Sequence, residues 1–162
     1  MAMILPLLLA LQTTPVAPIV KGTALPPPGS TEAEVMAPVT RLLTALTTDD
    51  AAAVIAVTLP EGTITAVRTG PDGTAQRRTI RWADFAAGLK PDGTRVVETL
   101  GQPAIEIDGP VAMVWAPYTV TIDGKPSHCG YDLFDLVRDN GSGGGWKILN
   151  VTYSHRTDGC GS

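Results

Sequence analysis

Residues 127–137 read SHCGYDLFDLV, an alternating run that sets His128, Cys129, Asp132 and Asp135 among aromatic and aliphatic neighbours. An imidazole and a carboxylate in apolar surroundings can do acid–base work, because burial raises a carboxylate's pKa and leaves it able to hold or take a proton. His128 and Asp132 are four positions apart on one strand, about 13 Å at roughly 3.3 Å per residue, so they form no direct dyad. They can bracket a small molecule between them. Each also has a structural reading, since most buried polar side chains do no more than complete hydrogen bonds. Asp132 is thus either a general base or acid, or a core carboxylate satisfied by tyrosine or backbone donors. His128 is either a polarising donor or an imidazole at the start of a strand.

The elements that position these groups are legible from the pattern around them. Asp123-Gly124 between two alternating runs signals a two-residue hairpin turn. A type I′ turn there pairs Ile122 with Lys125, and a regular ladder then sets Trp115 opposite Asp132, Met113 opposite Phe134, Val111 opposite Leu136, Pro117 opposite Gly130 and Thr119 opposite His128. One face carries these large apolar groups with Asp132 and His128. The other carries Val114, Tyr118, Val120, Ile122, Cys129, Tyr131 and Leu133. Assigned to the concave side, the first face predicts a pocket lined by Met113, Trp115, Thr119, His128, Asp132 and Phe134, with room above Pro117 and Gly130. The facing of His155 stays open, because the glycine-rich loop before the last strand leaves its register free.

Upstream, Thr31 and Glu34 fit a capping box, and Val35, Val39, Leu42, Leu43 and Leu46 recur at helical spacing around Pro38. A second helix, capped near Asp49, covers 50–57. GTITAVRTG and TAQRRTIR flank Pro71-Asp72-Gly73 as a hairpin. RWADFAAGLK predicts a third helix with Trp82, Phe85, Ala86 and Leu89 on one side. Strands follow over 95–107, 111–122, 125–138 and 146–156. This is an α+β order with an antiparallel sheet.

That order, the segment VWAPYTVTIDGKPSHCGYDLFDLVRDNGSGGGWKILNVTYSHR and the closing GC resemble the nuclear transport factor 2-like superfamily, within it the small exported proteins labelled SnoaL-like or lumazine-binding. The resemblance covers 31–160. It implies a cone-shaped fold in which three N-terminal helices pack in a strongly curved antiparallel sheet around a pocket, and it implies frequent homodimers, here through the outer sheet face. It implies no single activity, since such folds host isomerases, dehydratases, cyclases and binding modules. No residue-by-residue match to the catalytic sets of those enzymes is present.

The remaining features bound the setting. The chain of 162 residues allows one domain with a sizeable core. A net charge of −4 and dispersed basic residues, with Arg77, Arg78 and Arg81 the only local group, argue against nucleic acid. The apolar run at 3–11 is too short to span a bilayer, which takes about 20 residues. It suits a signal peptide over 1–17, followed by a Pro-rich linker over 18–30 and the folded domain over 31–162. Periplasmic or secreted localisation is therefore expected.

The two cysteines, Cys129 and Cys160, most simply form one disulfide in an exported protein, two free thiols or half of a metal site being the alternatives. The last strand returns toward the end of the sheet where Cys129 lies, and Gly159 can bend the tail back, which favours the bridge. Adjacent strand residues point to opposite faces, so His128 and Cys129 make a poor metal pair. No metal and no cofactor is expected. The leading expectation is a non-catalytic protein that binds a small apolar or aromatic molecule, or an accessory or dimerising module. The alternative is an isomerase- or dehydratase-type acid–base enzyme using Asp132.

Overall fold

The computed structural model describes residues 29–70, 72–141 and 144–160. The signal peptide expected over 1–17 and nearly all of the linker lie outside the described residues. The elements run α1 (Thr31–Thr47), α2 (Ala51–Val57), β1 (Thr58–Thr69), β2 (Ala75–Arg81), α3 (Trp82–Gly88), β3 (Val96–Leu100), β4 (Ala104–Asp108), β5 (Val111–Ile122), β6 (Lys125–Asp139) and β7 (Gly145–His155).

Helix α1 is capped one residue earlier than the capping box predicts: Ser30 Oγ accepts from the Ala33 N–H at 3.2 Å, satisfying one of the free donors of the first turn. Glu34 is thereby released to pair with Arg138 across the fold at 3.3 Å. Helix α2 is capped by Asp50 rather than Asp49, the Asp50 carboxylate accepting from Ala53 N–H at 2.9 Å. Val35, Val39 and Leu42 of α1, Val54 of α2 and Trp82 of α3 are buried against Val114, Phe134, Leu136, Ile148 and Val151 of the sheet. Burying each such side chain contributes about 1.5–3 kcal/mol, and this core holds the helices over one face.

The sheet is large, curved and mixed, in the order β2-β1-β7-β6-β5-β3, with β4 also paired to β5. Its antiparallel character is broken once: β1 runs parallel to β7. No turn joins these two strands, so local chemistry carries no information about their mutual direction. Only two helices precede the first strand, α3 following the β1–β2 hairpin. The single strand expected over 95–107 is two. Gly101 donates its N–H to Pro117 O at 2.7 Å, and the chain steps away before re-pairing at Ala104 opposite Trp115.

The β5–β6 hairpin carries the correction with the largest consequence. Asp123 and Gly124 both have positive φ, 51° and 76°, and Ile122 faces Lys125 as a type I′ turn requires. Thr121 then faces Pro126, but Val120 faces His128, so Ser127 is a bulge. Pro126 has no N–H to give the ladder, and prolines inside sheets are confined to edges and bulges. One inserted residue shifts every later pair by one. Trp115 faces Leu133, Met113 faces Asp135, Thr119 faces Cys129 and Pro117 faces Tyr131, while Ala116 faces Asp132 and Tyr118 faces Gly130.

Cys129 and Cys160 form a disulfide with Cα atoms 5.4 Å apart. Cys129 exchanges backbone hydrogen bonds with Arg156 at 3.0 Å each, and Gly159 takes φ 64° to bring the tail round. The bridge lies on the face opposite His128, as the alternation of β6 requires.

Candidate functional site

The concave face of the sheet and the helices above it form a cavity of about 210 Å³, partly open to solvent. Leu42, Leu43 and Leu46 of α1 and Phe85 and Leu89 of the α3 end form its roof, and Val96, Val120, Phe134 and Val151 its apolar floor. Into this lining project Glu98 from β3, Tyr118 from β5, His128 and Asp132 from β6 and Tyr153 from β7, with Asp49 beyond the end of α1.

Three of the six residues assigned to the pocket from sequence, His128, Asp132 and Phe134, line this cavity; Met113, Trp115 and Thr119 do not. The Ser127 bulge is the reason. It keeps the inward residues of β6 as expected but reverses β5, so that Val114, Ala116, Tyr118 and Val120 point in. Trp115 is 39% exposed on the outer face and stacks on Tyr131 with ring centroids 5.0 Å apart.

Glu98 is the neighbour that defines the chemistry of Asp132. Asp132 is 3% exposed, and among the described residues no N–H or O–H donates to its Oδ2. Burial, the like charge of Glu98 and the hydrogen bond that a protonated Asp132 makes to Glu98 push its carboxyl up to about 9. Burial also raises Glu98, an effect opposed by the hydrogen bond from Asp132. Two acids in one apolar place cannot both ionise cheaply, and the pair holds a proton at neutral pH.

Tyr118 closes the space expected above Gly130. A Cβ at Gly130 would overlap the Ser154 carbonyl, so glycine admits that carbonyl, and Ser154 O accepts the Tyr118 hydroxyl at 2.9 Å. The ring meets Tyr153 edge-on at 6.1 Å and His128 edge-on at 5.9 Å. Burial first, then the charges of Asp132 and Glu98, raise the Tyr118 phenol well above its ordinary value, and burial raises Tyr153. Both remain neutral donors.

His155, left open by the sequence, faces His128: the rings stack at 4.4 Å. Burial, then His155, then Arg68 lower His128; burial and Arg68 lower His155. Ser127 Oγ and His128 Nδ1 are 3.0 Å apart. Among the described residues no group of three His, Cys, Asp or Glu is placed to hold a metal ion.

Helices cupped by a curved sheet, with a polar cluster on its concave face, have many counterparts among solved structures. A nuclear transport factor 2-like superfamily protein from Salmonella enterica serovar Typhimurium aligns over 78% of this chain and 92% of its own, at 18% identity and a TM-score of 0.59. A second, from Cytophaga hutchinsonii, aligns over 78% of this chain and 99% of its own, at 12% identity and a TM-score of 0.63.

The chain has the nuclear transport factor 2-like fold.

A third nuclear transport factor 2-like protein, from Novosphingobium aromaticivorans, aligns over 78% of this chain and 82% of its own, at 18% identity and a TM-score of 0.59. By sequence, no family model and no curated protein matches. At these identities the likeness concerns the nuclear transport factor 2-like backbone alone, and the chemistry rests on the side chains of this chain.

Sequence reasoning missed Glu98, Tyr118 and Tyr153. Glu98 had a signal: it stands between Val96 and Leu100 on one strand face, a lone acid in an apolar column.

Proposed function

We propose that this chain is an exported binding protein whose cavity takes a compact apolar or aromatic molecule. The observation that carries this reading is the concave cavity of about 210 Å³, walled by leucines, valines and aromatic rings with a cluster of polar groups on one side, the usual make-up of a small-molecule site. Native mass spectrometry of the purified protein tests it: a co-purifying small molecule, or uptake of an added one-ring compound, is expected. Failure to take up any one-ring compound overturns the reading.

A second reading, acid–base catalysis of the isomerase or dehydratase kind, draws support from the Glu98–Asp132 pair, because strongly perturbed acids in a cleft mark reactive sites. In it Asp132 is the proton donor. The base role expected from sequence fits poorly with a carboxyl that keeps its proton up to about 9.

Export is supported by the Cys129–Cys160 bridge, which suits an oxidising compartment. Among the described residues no helix is long and apolar enough to cross a membrane. Intact-mass measurement showing a mature chain that begins near residue 18 is the expected result. A homodimer through the outer sheet face is supported by Met113, Trp115, Tyr131 and Leu133, which present an apolar, partly exposed patch there.

A further inference from the structure

Among the described residues three carboxyl groups, Asp49, Glu98 and Asp132, line the cavity, and no lysine or arginine does. Asp132 is buried to all but 3%, and among the described residues its Oδ2 lacks any donor. A buried acceptor of this kind ordinarily has a partner, and leaving it without one is costly. Arg68 and Arg78 act on Tyr153 and Arg156 on Tyr118, but among the described residues no guanidinium offsets the burial of Glu98 or Asp132. The pair thus sets two carboxyl groups side by side in apolar surroundings with no cationic side chain among the described residues beside them. Around it stand the rings of Phe85, Tyr118, Phe134 and Tyr153, whose faces attract cations.

We propose that the cavity selects a small aromatic amine, bound as its ammonium ion with the nitrogen donating to Asp132 and Glu98 and the ring against the apolar roof. This rests on the small-molecule reading above and names its ligand class. Size agrees: an apolar cavity of about 150 Å³ accepts benzene, and 210 Å³ leaves space for one ring and a short arm. The ammonium supplies the missing donor and a cation for the carboxyl pair and the surrounding ring faces. A neutral alcohol supplies only the donor, and a carboxylate meets like charge.

The sign of the pH dependence follows. Glu98 is raised from its ordinary range, so acidification favours the fully protonated pair, which holds an ammonium less well. The other groups facing the pair act in the same direction or not at all. His128 and His155, both lowered, gain positive charge only in acid, and Tyr118 and Tyr153 stay neutral.

Calorimetric titration of the full chain with 2-phenylethylamine, 2-phenylethanol and phenylacetate tests the proposal. Near neutral pH the amine is expected to bind about tenfold or more tighter than the alcohol, the difference a charge-assisted hydrogen bond makes, with phenylacetate weakest. At about pH 5 the advantage of the amine shrinks while the alcohol is unaffected. Glu98→Gln is expected to remove most of the advantage and spare alcohol binding; if that variant does not fold, the pH series on the unaltered protein decides. Equal binding of amine and alcohol overturns the ligand class and leaves the cavity reading standing, as does preference for phenylacetate. No binding of any of the three overturns both.

Discussion

Asp132 shows how one neighbour changes a residue's role. Alone in an apolar lining it would be a base with a raised pKa; beside Glu98 it is a proton-holding acid that donates to its partner. Its folded-state pKa lies far above the unfolded value of about 3.9. The unfolded chain therefore gives up this proton near pH 4 while the folded chain keeps it to about 9. Stability from this group is complete below the unfolded pKa and is lost as pH rises through the folded one. Asp132→Asn keeps a donor to Glu98 and removes the titration. It is expected to flatten the fall in melting temperature across this window and to raise stability near pH 8 by at least about 1 kcal/mol. Thermal melts at a series of pH values check this, and an unchanged slope would contradict the shared proton.

At the scale of elements, the Ser127 bulge decides which side of β5 meets the cavity. It brings Tyr118 inward across Gly130 to the Ser154 carbonyl and sends Trp115 out. Deleting Ser127 would restore an uninterrupted two-residue hairpin and force inward and outward residues of one strand to exchange. The buried Val114, Ala116 and Tyr118, or Asp132 and Phe134, would then face solvent. The expected result is loss of a cooperative melt by circular dichroism, a deficit comparable to the whole net stability of about 5–15 kcal/mol. Ser127→Ala, which preserves the count of residues, should cost less than about 1 kcal/mol. A cooperative deletion variant with unchanged melting would show that the register does not depend on the bulge.

At the scale of the molecule, the Cys129–Cys160 bridge closes a separation of 31 residues and ties the tail to the sheet. Closing such a loop is worth about 3–4 kcal/mol on the chain-entropy estimate. Cys129→Ser together with Cys160→Ser should lower the denaturant midpoint accordingly, and reductant should shift the unaltered protein but not this variant. The outer sheet face gives a separate expectation: Trp115→Glu places a charge in the centre of the apolar patch and should convert a dimer to monomer in sedimentation velocity without lowering the melting temperature by more than a few degrees. A chain that sediments as a monomer before the substitution removes the dimer from the proposal.

What the sequence determined by itself was local. The helix of 31–47, the Asp123-Gly124 turn, the inward set of β6 and the placing of Cys129 on the opposite face follow from periods, turn chemistry and alternation within one segment. These properties are set by neighbours a few positions away. The tertiary structure decided everything that needed two distant segments to be aligned. The parallel pairing of β1 with β7, the meeting of Glu98 with Asp132 and the stacking of His155 on His128 have no local signature. The facing of β5 belongs to the same class although it lies within one hairpin, because a period of two makes every face assignment depend on the parity of the residue count. Pro126 carried the warning, since a residue without an N–H inside a strand run signals a bulge.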